Sequence, residues 1–158
     1  MIEIKNLTKR YGEKTVFEAL SLSFPKGKRA VFTGESGVGK TTLLRVIAGL
    51  EQADAGEVRG VEGLRATFIF QENRLIPQIS ALENILCVAP DREKALYYLE
   101  RVGLSEAKDK AAIKLSGGMK RRLSIARALA RGGDIYYMDE PLRELDAGTE
   151  ERIARLIT

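Results

Sequence analysis

The sequence predicts an α/β fold: a core sheet carrying a phosphate-binding loop, an N-terminal antiparallel β region before it, and an inserted helical subdomain. Three observations carry that prediction. Residues 34–41 read GESGVGKT, which is the spacing Gly, any four, Gly, Lys, Thr. Short apolar runs rich in β-branched or aromatic residues recur at 29–33, 66–70 and 135–138, and helical patterns fall between them. Residues 72–114 hold helical patterns and no strand signal. At 158 residues, 44% hydrophobic and 30% charged, the chain fits one globular domain. Its nucleotide-binding core is read as 1–71 and 115–158, with 72–114 as the helical subdomain.

In chain order, Ile2, Ile4 and Leu7 alternate with polar residues, as do Leu20, Leu22 and Phe24 before a turn at 25–28. Together they predict an antiparallel pair. Residues 29–33 read as a short buried strand leading into the loop. There Gly34, Gly37 and Gly39 allow backbone turns that a side chain would block, so that N–H groups point inward around an anion at a helix start. Lys40 brings a point charge to the β and γ phosphates, and the Thr41 hydroxyl is placed for Mg²⁺. A helix from Thr42 to Ala48 is stopped by Gly49. After the strand 66–70, helices are predicted at 81–88, where Ser80 and Glu83 form a capping box, at 92–102, closed by Gly103, and at 118–130, closed by Gly132 and Gly133. A last helix covers 150–157.

The strand 135–138 delivers Asp139 and Glu140 at its C-terminal end, where open α/β sheets bind ligands. Asp139 is read as a holder of the Mg²⁺ shell, and Glu140 as the group that reaches a water aligned with the γ phosphate. Ser116, Gly117 and Gly118 open the helix 118–130 and form a second anion site by the same backbone logic. One chain seldom needs two such cradles unless the second serves a neighbour's nucleotide.

No run approaches the ~20 apolar residues that span a bilayer, and the N-terminus has no charged head followed by an apolar stretch. A cytosolic chain is expected. The single Cys87 excludes an intrachain disulfide and, among Ile85, Leu86 and Val88, is expected as a small buried residue. The net charge of +4 is too small to argue for nucleic acid. Lys120, Arg121, Arg122, Arg127 and Arg131 spread around a helix without interleaved aromatics, so they are read as a solvated face with a γ-phosphate role, and no nucleic-acid partner is expected.

These residues resemble the ATP-binding cassette ATPases over almost the whole chain. GESGVGKT resembles the family's Walker A, LSGGMKRRLSIARAL its signature helix, and IYYMDE its Walker B with the catalytic glutamate. Gln71 falls on the Q-loop glutamine, Leu145 and Asp146 on the D-loop, and Tyr11 on the aromatic that stacks on adenine. The resemblance implies ATP and Mg²⁺ as cofactors. ATP would be bound by Tyr11, Gly34, Glu35, Ser36, Gly37, Val38, Gly39, Lys40, Thr41 and Thr42, and from a second subunit in a head-to-tail dimer by Ser116, Gly117 and Gly118. Thr41, Gln71 and Asp139 would attend the metal, and Glu140 and Gln71 the hydrolysis.

Two departures stand out. Met119 takes the place of the signature's usual glutamine. The family continues past the D-loop helix into a strand with a histidine at the γ phosphate, whereas this sequence has no histidine and stops at Thr158, so slow turnover is expected. The segment from Phe70 to Asn84 is similar to the Q-loop region of nitrate, sulfonate and taurine importers. That similarity implies the energy-coupling ATPase of a small-solute importer, peripheral on the inner face of the cell membrane, meeting permease subunits near Gln71 to Leu82. Leu75, Ile76, Pro77 and Ile79 suit a groove for a permease helix or a cap on the chain's own core. A soluble cassette protein of nucleic acid or translation, or a relative with little hydrolysis, is the second reading.

Overall fold

The computed structural model describes residues 1–157, which form two compact units, residues 1–66 and the chain from residue 67 onward. In the first, β1 (Ile2–Tyr11), β2 (Lys14–Phe24) and β3 (Ala55–Arg59) make an antiparallel sheet in the order β2-β1-β3. The alternation seen in the sequence sets the register: Ile2 pairs with Phe24, Ile4 with Leu22 and Leu7 with Leu20. Ile4 and Leu7 are buried, and so are Leu43, Val46 and Ile47 of α1 (Lys40–Ile47), which recur at helical spacing. Gly49, at φ +69°, follows the helix as expected.

Two features of this unit differ from expectation. β3 carries no apolar alternation to announce it. Its Gly56 sits at φ +84° where a Cβ would run into the Asn6 carbonyl, beside the point where β1 shifts register. The glycine is there for that close approach, and it erases the strand signal. Residues 29–33, expected as a buried strand, are not one: 28–35 join no ladder and Val31 is 81% exposed. An apolar run becomes a buried strand only where neighbours take up its backbone groups, and the sheet of residues 1–66 pairs only β2, β1 and β3.

In the second unit β4 (Ala66–Ile69) pairs with β5 (Ile135–Met138). Around them lie α2 (Ala81–Leu86), α3 (Arg92–Arg101), α4 (Gly117–Arg131) and α5 (Ala147–Ile157), with short 3-10 turns at Ser105–Ala107 and Ala112–Lys114. The capping box predicted for α2 is present, and two caps that were not predicted, Asp91 and Asp146, join it. Ser80 and Glu83 exchange both hydrogen bonds of a capping box, and Asp91 accepts from the Lys94 amide at 3.0 Å. Asp146 caps α5 by accepting from the Thr149 amide at 3.0 Å, so that helix begins three residues before its predicted start.

The core of this unit is built on α4, whose Leu123, Ile125, Ala126 and Ala130 are wholly inaccessible, joined by Ile69, Ile85, Leu99, Val102, Leu104 and Ile153. Each leucine or isoleucine buried there contributes about 1.5–3 kcal/mol of transfer free energy. Cys87 is exposed, against expectation. Cys87, the αR C-cap of α2 whose amide still bonds to Glu83, lies off the buried face that Ala81, Leu82 and Ile85 form. Among the described residues no helix is long and apolar enough to cross a membrane.

Candidate functional site

In residues 1–66 the phosphate loop has the shape its glycines predict. Gly34, Gly37 and Gly39 have φ of +154°, +81° and +105°, values that L side chains avoid. Gly39 is doubly constrained, since a Cβ there would overlap Val16 Cγ1 on β2. The Gly39 carbonyl accepts from the Leu43 amide at 2.8 Å and starts α1, whose first turn carries no acidic side chain. The positive end of that helix is therefore left for an anion. Lys40 Nζ curls over the loop and donates to the carbonyls of Gly34 (2.7 Å) and Glu35 (2.8 Å). Glu35, Ser36 and Val38 are exposed, while Thr41 and Thr42 are half-buried in the first helical turn.

Tyr11 is exposed at the end of β1, and its hydroxyl donates to the Glu51 carboxylate. Lys9 reaches the same carboxylate at 3.1 Å and sits 5.0 Å from the centre of the Tyr11 ring. Partial burial works to raise the Glu51 carboxyl, but the hydrogen bonds from Tyr11 and Lys9, with the charges of Lys9 and Arg45, hold it below the usual carboxylate range.

In the second unit, Asp139 follows β5 with its side chain buried, and its amide donates to the Ile69 carbonyl at 2.9 Å. Glu140 lies in the left-handed region at φ +46°, which a side chain with a Cβ enters only under constraint. Its Oε2 accepts from Gln71 Nε2 and from Arg143 Nη1, each at 3.4 Å. The structure thus brings together Gln71 and Glu140 from the ends of two paired strands. Ser116 is the N-cap of α4, accepting from the Met119 amide at 3.3 Å. Gly117 and Gly118 let residue 144 approach: a Cβ on either would stand 3.3 Å and 3.2 Å from Glu144 atoms.

Of the basic residues of α4 expected on a solvated face, Arg131 is exposed, but Arg121, Arg122 and Arg127 turn onto main-chain carbonyls. Arg121 is 2% exposed. Its guanidinium donates to the carbonyls of Phe70 (2.5 Å), Gln71 (3.4 Å), Asp139 (3.1 Å), Glu140 (2.5 Å) and Pro141 (3.0 Å). Burial lowers its pKa against the nearby carboxylates of Glu144, Asp139 and Glu140. Arg122 donates to Val102 and Gly103, and Arg127 to Asn73 and Arg74. A signal for Arg121 was present in the sequence: it stands at i with Ile125 at i+4 and Ala128 at i+7, on the apolar face of the helix.

A second missed residue is Asn84, 1% exposed, which accepts from the Ile76 amide at 2.8 Å and donates to the carbonyls of Ile76, Ile79 and Ser80. It fixes the loop in which Leu75 packs on the core while Ile76 is 44% exposed.

The elements form a P-loop α/β fold, and the family described as ABC transporter matches residues 17–143; the chain belongs to that family. Its relatives include the aliphatic sulfonates import ATP-binding protein SsuB 2 of Paraburkholderia xenovorans, 40% identical over 99% of this chain and 64% of that protein. The phosphonates import ATP-binding protein PhnC of Wolinella succinogenes is 37% identical over 99% of this chain and 68% of its own length. The chain thus spans about two thirds of the length of these curated relatives. Among solved structures, the ATP-binding cassette MJ0796, dimeric in a post-hydrolysis state with ADP and Pi, is 30% identical with a TM-score of 0.87, covering 99% of this chain and 81% of its own.

Proposed function

We propose that this chain is the ATP-binding and hydrolysing subunit that powers a membrane transporter, importing a small solute. The observation that carries the reading is the phosphate loop: glycines at positive φ, Lys40 folded over the carbonyls of Gly34 and Glu35, and a helix start free of acidic side chains. In this reading Gly34 to Thr42 grip the phosphates through backbone amides and Lys40, and Tyr11 stacks on adenine. Glu140 takes the proton of the attacking water, and Gln71, 3.4 Å from its carboxylate, orients it.

The hydroxyl, amide and carboxylate oxygens of Thr41, Gln71 and Asp139 are donors of the kind a hard cation takes. When bound, Mg²⁺ would neutralise developing charge on the phosphates. Ser116, Gly117 and Gly118 would serve the nucleotide of a second, head-to-tail subunit, a reading supported by the dimeric cassette that resembles this chain. Permease subunits would dock near Gln71 to Leu82, where Asn84 braces the loop and Ile76 is exposed, and would hold the chain on the cytoplasmic face of the membrane. The sulfonate and phosphonate import relatives support import of a small solute.

A thermal-shift titration with ATP tests the reading. Saturating nucleotide should raise the melting temperature of the wild-type chain, and Lys40→Ala should remove most of the rise. An equal rise in both would show that the loop is not the site.

A further inference from the structure

We propose that Arg121 is the positioning residue of the Gln71–Glu140 pair, locking by one buried guanidinium the two segments whose side chains that pair joins. The inference deepens the proposed ATPase reading and rests on it for the role of the pair. Its geometry stands independently. Nη1 donates to Phe70 and Gln71 at the end of β4, whereas Nε and Nη2 donate to Pro141, Asp139 and Glu140 just after β5. A planar guanidinium presents donors in a fixed fork, so once it is seated the spacing of the two segments is set.

The side-chain contact depends on that spacing. Gln71 Nε2 meets Glu140 Oε2 at 3.4 Å, the long end of hydrogen-bond range, and a small shift of either segment would break it. Arg121 also takes the carbonyls on both sides of Glu140 and that of Glu140 itself, while Glu140 is at φ +46°. A left-handed glutamate persists only where its surroundings over-determine it, and these three bonds supply that constraint.

A buried cation without a bidentate carboxylate partner is an unusual choice for a site that needs only packing. Glu144, Asp139 and Glu140 lie near enough to favour its charge, but its hydrogen bonds go to main-chain oxygens. Arg121 therefore shapes the loop and leaves the carboxylate of Glu140 exposed for substrate.

Its neighbour supplies the control. Arg122 leaves the same helix and also caps carbonyls, but those of Val102 and Gly103 after α3. The test is hydrogen exchange by mass spectrometry on the full chain, wild type against Arg121→Gln, Arg121→Lys and Arg122→Gln. Arg121→Gln should speed exchange in peptides covering 70–73 and 139–145 at least tenfold and leave α2 and α3 unchanged. Arg121→Lys, which keeps the charge but not the fork, should recover part of the protection. Arg122→Gln should leave both segments as in wild type.

A second readout is the Mg²⁺-dependent part of the stabilisation by ATP. Arg121→Gln should weaken it about tenfold and leave the nucleotide affinity measured without Mg²⁺ within threefold; a merely structural residue would lower the melting temperature in every state and leave these increments alone. Unchanged exchange at both segments in Arg121→Gln would overturn the positioning role. No stabilisation of the wild type by ATP would overturn the proposed function instead, while the exchange result still decides whether Arg121 holds the pair.

Discussion

The phosphate loop at 34–41 and the Gln71–Glu140 pair are built in opposite ways. The loop holds its shape by backbone conformation, with glycines at positive φ and one lysine whose contacts are to the loop's own carbonyls. The pair is held by side chains from elsewhere, above all Arg121, and by a non-glycine residue in a glycine conformation. A site made of backbone writes itself into the local sequence as a spacing. A site made by a distant side chain does not, because the residue that builds it lies on α4, fifty residues from Gln71.

The largest effect should come from deleting the side-chain scaffold. Arg121→Met would leave carbonyls of both segments without donors, and about 3 kcal/mol of stability should be lost in urea denaturation. Arg122→Met, with two carbonyls at stake, should lose about half as much. Equal losses would erase the distinction between the two arginines.

Gly39→Ala attacks the backbone-built region. At φ +105° and against Val16, an added methyl should cost about 1–3 kcal/mol, and the ATP-induced thermal shift should vanish with it. Survival of the shift would mean that the loop does not need this conformation to bind.

Glu140→Gly should run the other way. Relief of the left-handed strain should raise stability by about 0.5–1 kcal/mol, offset in part by the entropy of glycine, while the proposed base is lost. Glu140→Gln keeps the strain and should show no such gain. Destabilisation by glycine would indicate that the Glu140 side chain, and not its backbone, is what the loop is built around.

The smallest effect concerns pH. Hydrogen bonds from the Thr149 backbone and side chain hold the Asp146 carboxyl below its ordinary value, those from Ser80 do so for Glu83, and Glu51 is lowered as described. Each folded pKa lies below the unfolded one, so the stability these groups contribute is present above the unfolded value and is lost as pH falls through the folded one. Urea midpoints should therefore be flat from pH 7 to about 5 and decline below about 4.5. In Asp146→Asn, which keeps the cap without the charge, the decline should be shallower.

Much of the fold was legible. The pairing of Ile2, Ile4 and Leu7 with Phe24, Leu22 and Leu20 follows from alternation, and the starts of α2 and α4 follow from Ser80 and Ser116. What failed did so where a residue answers to something far along the chain. Gly56 is set by Asn6 across the sheet, the strand expected at 29–33 lacked the partners a strand needs, and Cys87 lies off the face of α2 that the core takes up. Of the site, the loop could be read from Gly34 to Thr41, whereas the helical spacing of Arg121 marks its burial but not the carbonyls it binds, and the sequence did not mark the contacts of Asn84.

The central claim is that nucleotide grip resides in the backbone-built loop and is separable from the side-chain-built pair. Calorimetric titration of ATP without Mg²⁺ into wild type, Gly39→Ala and Glu140→Gln tests it most directly. The dissociation constant should agree within threefold between wild type and Glu140→Gln, with no measurable binding to Gly39→Ala. Binding retained by Gly39→Ala but lost in Glu140→Gln would contradict it.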